Sequence, residues 1–120
     1  TGKVGVTGYC LGGLMTYLSA ARTDADAFAA YYGGGTDQYL AEAKNIGAPI
    51  IYHLAGADDY LKPEAQEQIK AALADKQDAE VHIYPGCDHA FARPGGSHYD
   101  AAATQLANSR TDEFFARTLR

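Results

Sequence analysis

The chain has 120 residues, of which 47% are hydrophobic and 21% are charged, and its formal net charge is -5. This composition is typical of one globular domain and unlike that of a disordered segment. The acidic balance argues against a basic nucleic-acid-binding surface, and no apolar run reaches the roughly 20 residues that cross a bilayer. Because two cysteines are too few for a disulfide framework, we expect a reducing, cytoplasmic location.

Strand-like and helix-like segments alternate along the chain. Strands are predicted where apolar or β-branched residues form short runs, and helices where apolar residues recur at intervals of three and four. In chain order we predict a strand at Lys3–Thr7, a helix at 11–21, a strand at 28–32, a short helix at 37–45, a strand at 49–54, a helix at 63–74, a strand at 80–84 and a helix at 99–119. In the last helix we expect Ala102, Leu106, Phe114 and Phe115 to face the core. The β-α-β-α-β-α-β-α order predicts an α/β fold with a parallel sheet in three αβα layers.

A glycine-flanked cysteine stands between the first strand and the first helix. Gly8 and Gly12 lie two residues before and two residues after Cys10. This is the spacing of a nucleophile elbow, a tight turn whose backbone passes close to its neighbours. The elbow would hold the Cys10 thiol at its apex and leave the backbone N–H of Leu11 as an oxyanion donor. The alternative is a glycine-rich turn with a buried, inert cysteine.

Two further candidates, Asp58 and His89, follow the third and fourth predicted strands. Ligands bind beyond the carboxyl ends of parallel strands, so we expect these side chains to lie near Cys10. The order nucleophile, acid, base is that of α/β-hydrolase triads. Cys10 would attack a carbonyl carbon, His89 would transfer protons, and Asp58 would orient the imidazole. Asp59 competes with Asp58 for the last role, and Asp58 could instead be a turn residue or a helix cap.

A metal site is the alternative chemistry for the same region. Its ligands would come from Cys87, Asp88 and His89 with His82 or His98. The spacing matches zinc sites poorly, because no second close pair completes four ligands. We therefore expect a reaction without metal or organic cofactor, and we expect His53 and His82 to be core or surface residues rather than ligands.

Other functions remain compatible with the cysteine. Glutamine amidotransferases also place a cysteine on such an elbow, but they follow the catalytic histidine with Pro and Glu, whereas Ala90 and Phe91 follow His89 here. A relative of serine proteases or thioesterases acting on bulky acyl groups would need a larger pocket. A non-catalytic α/β domain would use Cys10 for structure or as a redox sensor.

Four stretches resemble one known family, the dienelactone hydrolases (carboxymethylenebutenolidases) of the α/β-hydrolase fold. They are Gly8–Gly13, Ala55–Asp58, Gly86–Arg93 and Ala107–Thr111, the last followed by Phe114 and Phe115. The resemblance implies hydrolysis of an enol-lactone to an open-chain acid, with a small-molecule lactone or ester as substrate. It implies no nucleic-acid partner and no membrane.

The resemblance also assigns residues. It makes Cys10 the nucleophile, Asp58 rather than Asp59 the triad acid, and His89 the base. Arg93 would bind an anionic group of the substrate, as a guanidinium fork binds a carboxylate.

The resemblance covers only the C-terminal half of the family's domain. A parallel strand at Lys3–Thr7 would normally have neighbours on both edges. We therefore expect residues 1–120 to be the C-terminal part of a single domain whose first strands and helices are missing, with that half or a partner segment at the Lys3–Thr7 edge. By the resemblance, the missing half would supply a second oxyanion donor, more of the substrate pocket and a Glu that helps to generate the thiolate.

Overall fold

The computed structural model describes residues 2–76 and 78–119. Within these residues, four parallel strands lie in the order β1-β2-β3-β4. The elements are β1 (Gly5–Tyr9), α1 (Leu11–Arg22), β2 (Ala27–Tyr31), a 3-10 helix (Thr36–Asn45), β3 (Ile50–Ala55), α2 (Pro63–Ala74), β4 (Ala79–Tyr84) and α3 (Ala101–Thr118). The predicted α/β fold and the order of its elements are confirmed.

The helices form two layers, one on each face of the sheet. Phe28 and Ala30 of β2 point into a core shared with α1, the 3-10 helix and α2. Ala27 and Ala29, the alternate residues of the same strand, face α3 together with Phe114. Because successive side chains of a strand point to opposite faces, β2 is covered on both sides. The three-layer αβα arrangement is therefore present.

The two edges of the sheet differ from its middle. Every residue of β2 and β3 is buried, whereas β1 alternates between half-buried and exposed residues. Within the described residues β1 pairs with β2 alone, so its other edge carries unpaired backbone groups. Large apolar side chains are exposed around this edge and at the start of α1: Val4, Tyr9, Leu11 and Met15.

The first strand is shifted by two residues from the predicted Lys3–Thr7. It runs from Gly5 to Tyr9, and Tyr9 pairs in register with Tyr31. The parallel ladder therefore continues to the residue directly before Cys10. The cysteine is held by the end of the strand and not by a free loop.

The buried face of α3 differs from the predicted one. Ala102 and Leu106 are exposed, and Leu106 retains 46% of its accessible surface. Phe114 is buried as expected. Two buried positions are threonines, and Thr104 donates its hydroxyl to the Phe91 carbonyl at 2.9 Å. A pattern of apolar residues misses these positions, because hydrogen-bonded threonines take the places that the prediction gave to alanine and leucine.

Helix α3 also begins two residues later than predicted. Asp100 caps it, since its carboxylate accepts a hydrogen bond from the Ala103 backbone N–H at 2.9 Å. None of the helices in the described part of the chain is long and apolar enough to span a membrane.

Candidate active site

Cys10 occupies a strained turn between β1 and α1. Its φ is 58° and its ψ is -121°, a conformation that non-glycine residues rarely adopt. The surrounding backbone holds it there: its N–H donates to the Tyr31 carbonyl at 3.2 Å, and its carbonyl accepts from the Gly13 N–H at 2.9 Å. The strand-to-helix elbow predicted from the sequence is therefore present.

Two glycines make this turn possible, but they are not the pair that the spacing suggests. A Cβ on Gly8 would clash with the Gly12 carbonyl and would lie 2.7 Å from Thr16 Oγ1. A Cβ on Gly13 would clash with the Tyr31 carbonyl. Around Gly12 a Cβ would meet nothing within 4 Å. The close approach that excludes side chains therefore lies at Gly8 and Gly13.

Leu11 is the first residue of α1, directly after Cys10. A backbone N–H in the first turn of a helix has no acceptor inside that helix, and the helix dipole favours negative charge there. The Leu11 N–H is thus chemically suited to bind an oxyanion that forms beside the Cys10 sulfur.

Asp58 and His89 form a hydrogen-bonded pair beyond the ends of β3 and β4. His89 Nδ1 lies 2.9 Å from Asp58 Oδ2, and the Asp58 residue is only 2% exposed. The other carboxylate oxygen accepts from the Tyr60 backbone N–H at 2.8 Å. The Asp59 side chain is 91% exposed, and its carboxylate lies 3.9 Å from Lys62 Nζ. Of the two adjacent carboxylates, Asp58 therefore contacts the histidine.

Aromatic rings hold the imidazole of His89 from two sides. The Tyr32 ring meets it edge to face, with ring centroids 5.2 Å apart. The Tyr60 ring lies 4.7 Å away at a tilt. Since Nδ1 faces the Asp58 carboxylate, Nδ1–H is the donor of that pair and Nε2 is the nitrogen available for proton transfer.

Within the described residues, no hydrogen bond joins the Cys10 sulfur to His89. Burial raises the pKa of the Cys10 thiol, the nearby Arg93 guanidinium lowers it, and the Asp58 carboxylate raises it. The net shift is upward, so the thiol is protonated at neutral pH in this arrangement. Proton transfer from the thiol to His89 Nε2 requires hydrogen-bond reach, either directly or through one water molecule.

Cys10 and His89 open into two neighbouring cavities. One, of about 470 Å³, is lined by Tyr9, Cys10, Tyr32, Ala92, Arg93, Pro94 and Asn108. The other, of about 300 Å³, is lined by Asp59, Tyr60, Asp88, His89, Ala90, Arg93, Gly96, Ser97 and His98. Arg93 lines both cavities, so its permanent positive charge borders the cavity of the predicted nucleophile and that of the predicted base.

The alternative metal ligands do not assemble. His98 Nδ1 lies 3.2 Å from Asp88 Oδ2 in an exposed pair, while His82 lies 3.1 Å from Glu80. The Cys87 thiol donates to Asp100 Oδ2 at 3.7 Å. Among residues 2–76 and 78–119, no group of three or more His, Cys, Asp or Glu side chains could hold a metal ion.

Several residues at the site were not singled out from the sequence. Tyr32 and Asn108 line the cavity of Cys10, and Tyr60 packs on His89. Tyr32 directly follows β2, but it lies inside the strand predicted at 28–32, so the strand-end signal that pointed to Asp58 and His89 does not mark it. Asn108 lies on the distant helix α3, within the Ala107–Thr111 stretch that resembles the family, but no spacing in the sequence relates it to Cys10.

His53, expected to be a core or surface residue, lies in the core. Its Nδ1 is 2.8 Å from the Tyr84 hydroxyl and its Nε2 is 2.8 Å from Thr111 Oγ1. Burial lowers the pKa of His53 to about 3, with smaller contributions from His82 and Arg110.

A parallel sheet that carries a strained elbow at one strand end and an acid–histidine pair at two others defines the α/β-hydrolase class. Comparison with known proteins agrees. The family model described as "Dienelactone hydrolase family" matches residues 1–119. The chain belongs to the dienelactone hydrolase family.

Individual relatives are similar over nearly the whole chain. A protein of Azospirillum brasilense named "Putative carboxymethylenebutenolidase" is 43% identical over 109 residues, which are 91% of this chain and 47% of the relative. The carboxymethylenebutenolidase of Pseudomonas putida is 36% identical over 96% of this chain and 49% of its own length. The chain thus spans about half the length of the curated relatives it matches.

A solved structure agrees in fold. The crystal structure described as "Putative Dienelactone Hydrolase from Klebsiella pneumoniae subsp. pneumoniae MGH 78578" superposes with a TM-score of 0.84 at 27% identity. The match covers 93% of this chain and 51% of that one.

Proposed function

We propose that the protein hydrolyses a small, carboxylate-bearing lactone or ester of the dienelactone type through Cys10, His89 and Asp58. The observation that carries the proposal is the pair of the buried Asp58 and the half-buried His89, 2.9 Å between carboxylate and ring nitrogen, at the same sheet edge as the strained Cys10 turn. The names of the relatives, carboxymethylenebutenolidases among them, support the substrate class.

The first half-reaction forms an acyl-enzyme. His89 Nε2 takes the proton of the Cys10 thiol, and the sulfur attacks the carbonyl carbon of the lactone, with the oxyanion beside the Leu11 N–H. The ring C–O bond then breaks, and His89 returns the proton to the leaving oxygen. The Asp58 carboxylate stabilises the imidazolium that exists between these two transfers.

The second half-reaction releases the acid. His89 Nε2 accepts a proton from water as the water oxygen attacks the thioester carbon. The C–S bond breaks, and the sulfur recovers its proton from the imidazolium. The products are the open-chain acid and free Cys10 thiol, so protons and electrons balance without a cofactor.

Arg93 would bind the carboxylate of the substrate. It is the charged residue that lies on the walls of both cavities, next to Cys10 in one and next to His89 in the other. A guanidinium and a carboxylate form charge-assisted, often bidentate hydrogen bonds, which would orient the lactone carbonyl toward the sulfur.

The activity belongs to a longer polypeptide. The matched relatives are about twice as long, and within the described residues β1 is paired on one edge only, with exposed apolar side chains around the other. We propose that a preceding segment pairs with β1 and supplies the second oxyanion donor and the Glu that favours the Cys10 thiolate. By the same proposal, residues 1–120 are the C-terminal part of one domain, and the protein is cytoplasmic.

A second candidate function is a non-catalytic domain in which Cys10 is structural or redox-sensing. Two observations favour it: the pKa of Cys10 is raised by burial, and no hydrogen bond joins its sulfur to His89 within the described residues. A raised pKa lowers the thiolate fraction and hence the reactivity of the thiol.

Hydrolysis by the full-length protein distinguishes the two candidates. The lactone would be mixed with the unaltered protein and with the Cys10→Ala and His89→Ala variants, and loss of the lactone would be followed by absorbance. We expect the rate in either variant to fall below about 0.1% of the original rate. The matched control Cys87→Ala removes the other thiol and is expected to retain turnover. Turnover that persists in Cys10→Ala contradicts the proposal.

A further inference from the structure

A chain of hydrogen bonds, buried at its centre and partly buried at its two ends, connects α3, β4, β3 and β2. It runs from Arg110 through Tyr84, His53, Thr111 and Tyr31 to Asn108. Its successive donor–acceptor distances are 3.2, 2.8, 2.8, 2.7 and 2.7 Å. The proposed reaction uses none of the central residues. The hydrogen-bond chain nevertheless ends at Asn108, a residue that lines the cavity of Cys10.

The direction of this chain follows from its first member. A guanidinium can only donate, so the Tyr84 oxygen accepts from Arg110, and its own proton goes to His53 Nδ1. His53 lies in the core and its pKa is lowered by burial, so the ring is neutral and its single proton is on Nε2.

The remaining steps then follow one another. His53 Nε2–H donates to Thr111 Oγ1, which leaves the Thr111 proton for the Tyr31 oxygen. The Tyr31 hydroxyl also lies within hydrogen-bond reach of the Tyr9 hydroxyl, and its own proton goes to the amide oxygen of Asn108 at 2.7 Å. If the hydrogen bonds ran in the opposite direction, the hydroxyl proton of Tyr84 would have no acceptor. Tyr84 is only 4% exposed, and a hydroxyl without a hydrogen-bond partner is costly to bury.

The amide group of Asn108 therefore has one defined orientation. Its oxygen faces Tyr31, and within the described residues its two N–H donors have no protein acceptor. Asn108 shares its cavity with Cys10 and Arg93, and the other lining side chains are mostly apolar: Tyr9, Tyr32, Ala92 and Pro94. A mostly apolar pocket with a few convergent polar groups is the usual form of a small-molecule site.

We infer that Asn108 is a specificity-determining residue whose amide N–H donors bind the substrate carboxylate together with Arg93. Arg93 supplies the charge from the loop after β4, and Asn108 supplies a directed donor from α3. Two donors from different elements fix both the position and the rotation of a planar carboxylate. The inference deepens the proposed function and rests on it for the identity of the substrate.

The alkylation of Cys10 tests this site without any turnover. Iodoacetate and iodoacetamide both form a C–S bond with the thiolate and release iodide, but only iodoacetate carries a carboxylate. The rate ratio of the two reagents on the full-length protein, divided by the same ratio for free cysteine, measures how strongly the cavity attracts the anion. Peptide mass spectrometry assigns the modified site and separates Cys10 from Cys87.

We expect Asn108→Leu to lower this ratio about 10-fold, since a hydrogen bond to a charged group is lost. Asn108→Asp has the same shape but replaces the N–H donors with a negatively charged oxygen, so it should lower the ratio further. It tests the site even if the leucine variant does not fold. The matched control is Gln105→Leu, an exposed residue of the same helix outside the cavity, which should leave the ratio unchanged.

The outcomes separate this inference from the proposed activity. An unchanged ratio in both Asn108 variants overturns the inference, even if Arg93→Ala lowers the ratio and the lactone is hydrolysed. A protein that hydrolyses no lactone but shows the expected ratios retains the anion site and loses the proposed reaction. With an active protein, Asn108→Leu should raise KM for the carboxylate-bearing lactone and change kcat less than about twofold.

Discussion

The buried carboxylate of Asp58 binds two neighbours at once, the His89 ring at 2.9 Å and the Tyr60 backbone N–H at 2.8 Å. Both oxygens are thus engaged, one in orienting the imidazole and one in holding the loop after β3. Since the loop residue Tyr60 also packs its ring against His89, the carboxylate and the aromatic ring fix the same side chain. The pair behaves as one preorganised unit even though Cys10 is not hydrogen-bonded to it.

Substitution of the two adjacent aspartates should separate their roles. Asp58→Asn keeps the shape of the side chain but removes the charge that stabilises the imidazolium, and the same change in a serine protease lowers kcat by about 10⁴. We expect kcat for the lactone to fall at least about 100-fold in Asp58→Asn. The matched control is Asp59→Asn, whose exposed side chain lines the cavity of His89 but forms no hydrogen bond with the ring, and kcat should fall far less than in Asp58→Asn. A larger loss in Asp59→Asn would reverse the assignment.

Removal of Arg93 should change substrate selectivity more than chemistry. Arg93→Ala eliminates a charge-assisted contact worth about 1.5–3 kcal/mol, which corresponds to a rise in KM of about 10- to 150-fold for a carboxylate-bearing lactone. Hydrolysis of a neutral ester should change little. Arg22→Ala serves as the control, because Arg22 pairs with Glu42 on the surface, 2.7 Å apart. Equal losses for charged and neutral substrates would show that Arg93 is not a carboxylate clamp.

The two elbow glycines differ in how they tolerate a methyl group. In Gly8→Ala the new Cβ would overlap the Gly12 carbonyl and crowd Thr16 Oγ1, so we expect the free energy of unfolding to fall by about 1–3 kcal/mol. Gly12→Ala adds a methyl group in open space within α1 and should stabilise the protein by about 0.4–1 kcal/mol. Urea unfolding of the full-length variants measures both. A Gly12→Ala variant as unstable as Gly8→Ala would contradict the geometry of the turn.

The elements and their order could be predicted because they rest on local signals. Short apolar runs mark the strands, and the candidate residues Cys10, Asp58 and His89 lie in the turns and loops that follow them. The choice between Asp58 and Asp59 required the structure, since two adjacent carboxylates on a loop differ only in the direction of their side chains. The likeness of the chain to a known family had already favoured Asp58.

The features that could not be predicted depend on contacts between distant segments. Leu106 is exposed on α3 although its apolar side chain predicts burial. Thr104 is buried, and its hydroxyl donates a hydrogen bond to the carbonyl of Phe91 in a distant loop. The chain of hydrogen bonds through His53 joins α3, β4, β3 and β2, and no spacing of residues in the sequence predicts it. Cys10 and His89 likewise line two different cavities, an arrangement that depends on how the end of β1 and the loop after β4 are placed.

His53 also gives the protein a specific response to acid. Its pKa is about 3 in the folded state, against an ordinary value of 6.5, because burial disfavours the charged ring and His82 and Arg110 add like charge. The folded state therefore binds fewer protons than the unfolded chain between these two values. The stability that depends on a neutral His53 is complete above pH 6.5 and is lost as the pH falls below it, by at most about 1.4 kcal/mol per pH unit.

Urea unfolding of the full-length protein at pH 7, 6 and 5 should show this loss. The variant His53→Gln carries a side chain that does not titrate. It should have a lower free energy of unfolding at pH 7, because Tyr84 or Thr111 loses its hydrogen-bond partner. Between pH 6.5 and 5, however, its free energy of unfolding should fall less steeply than that of the unaltered protein. The control His98→Gln removes a half-exposed histidine and should leave the pH dependence unchanged. If His53→Gln and the unaltered protein lose stability with the same slope, another group controls the response to acid and His53 is not neutral in the folded protein.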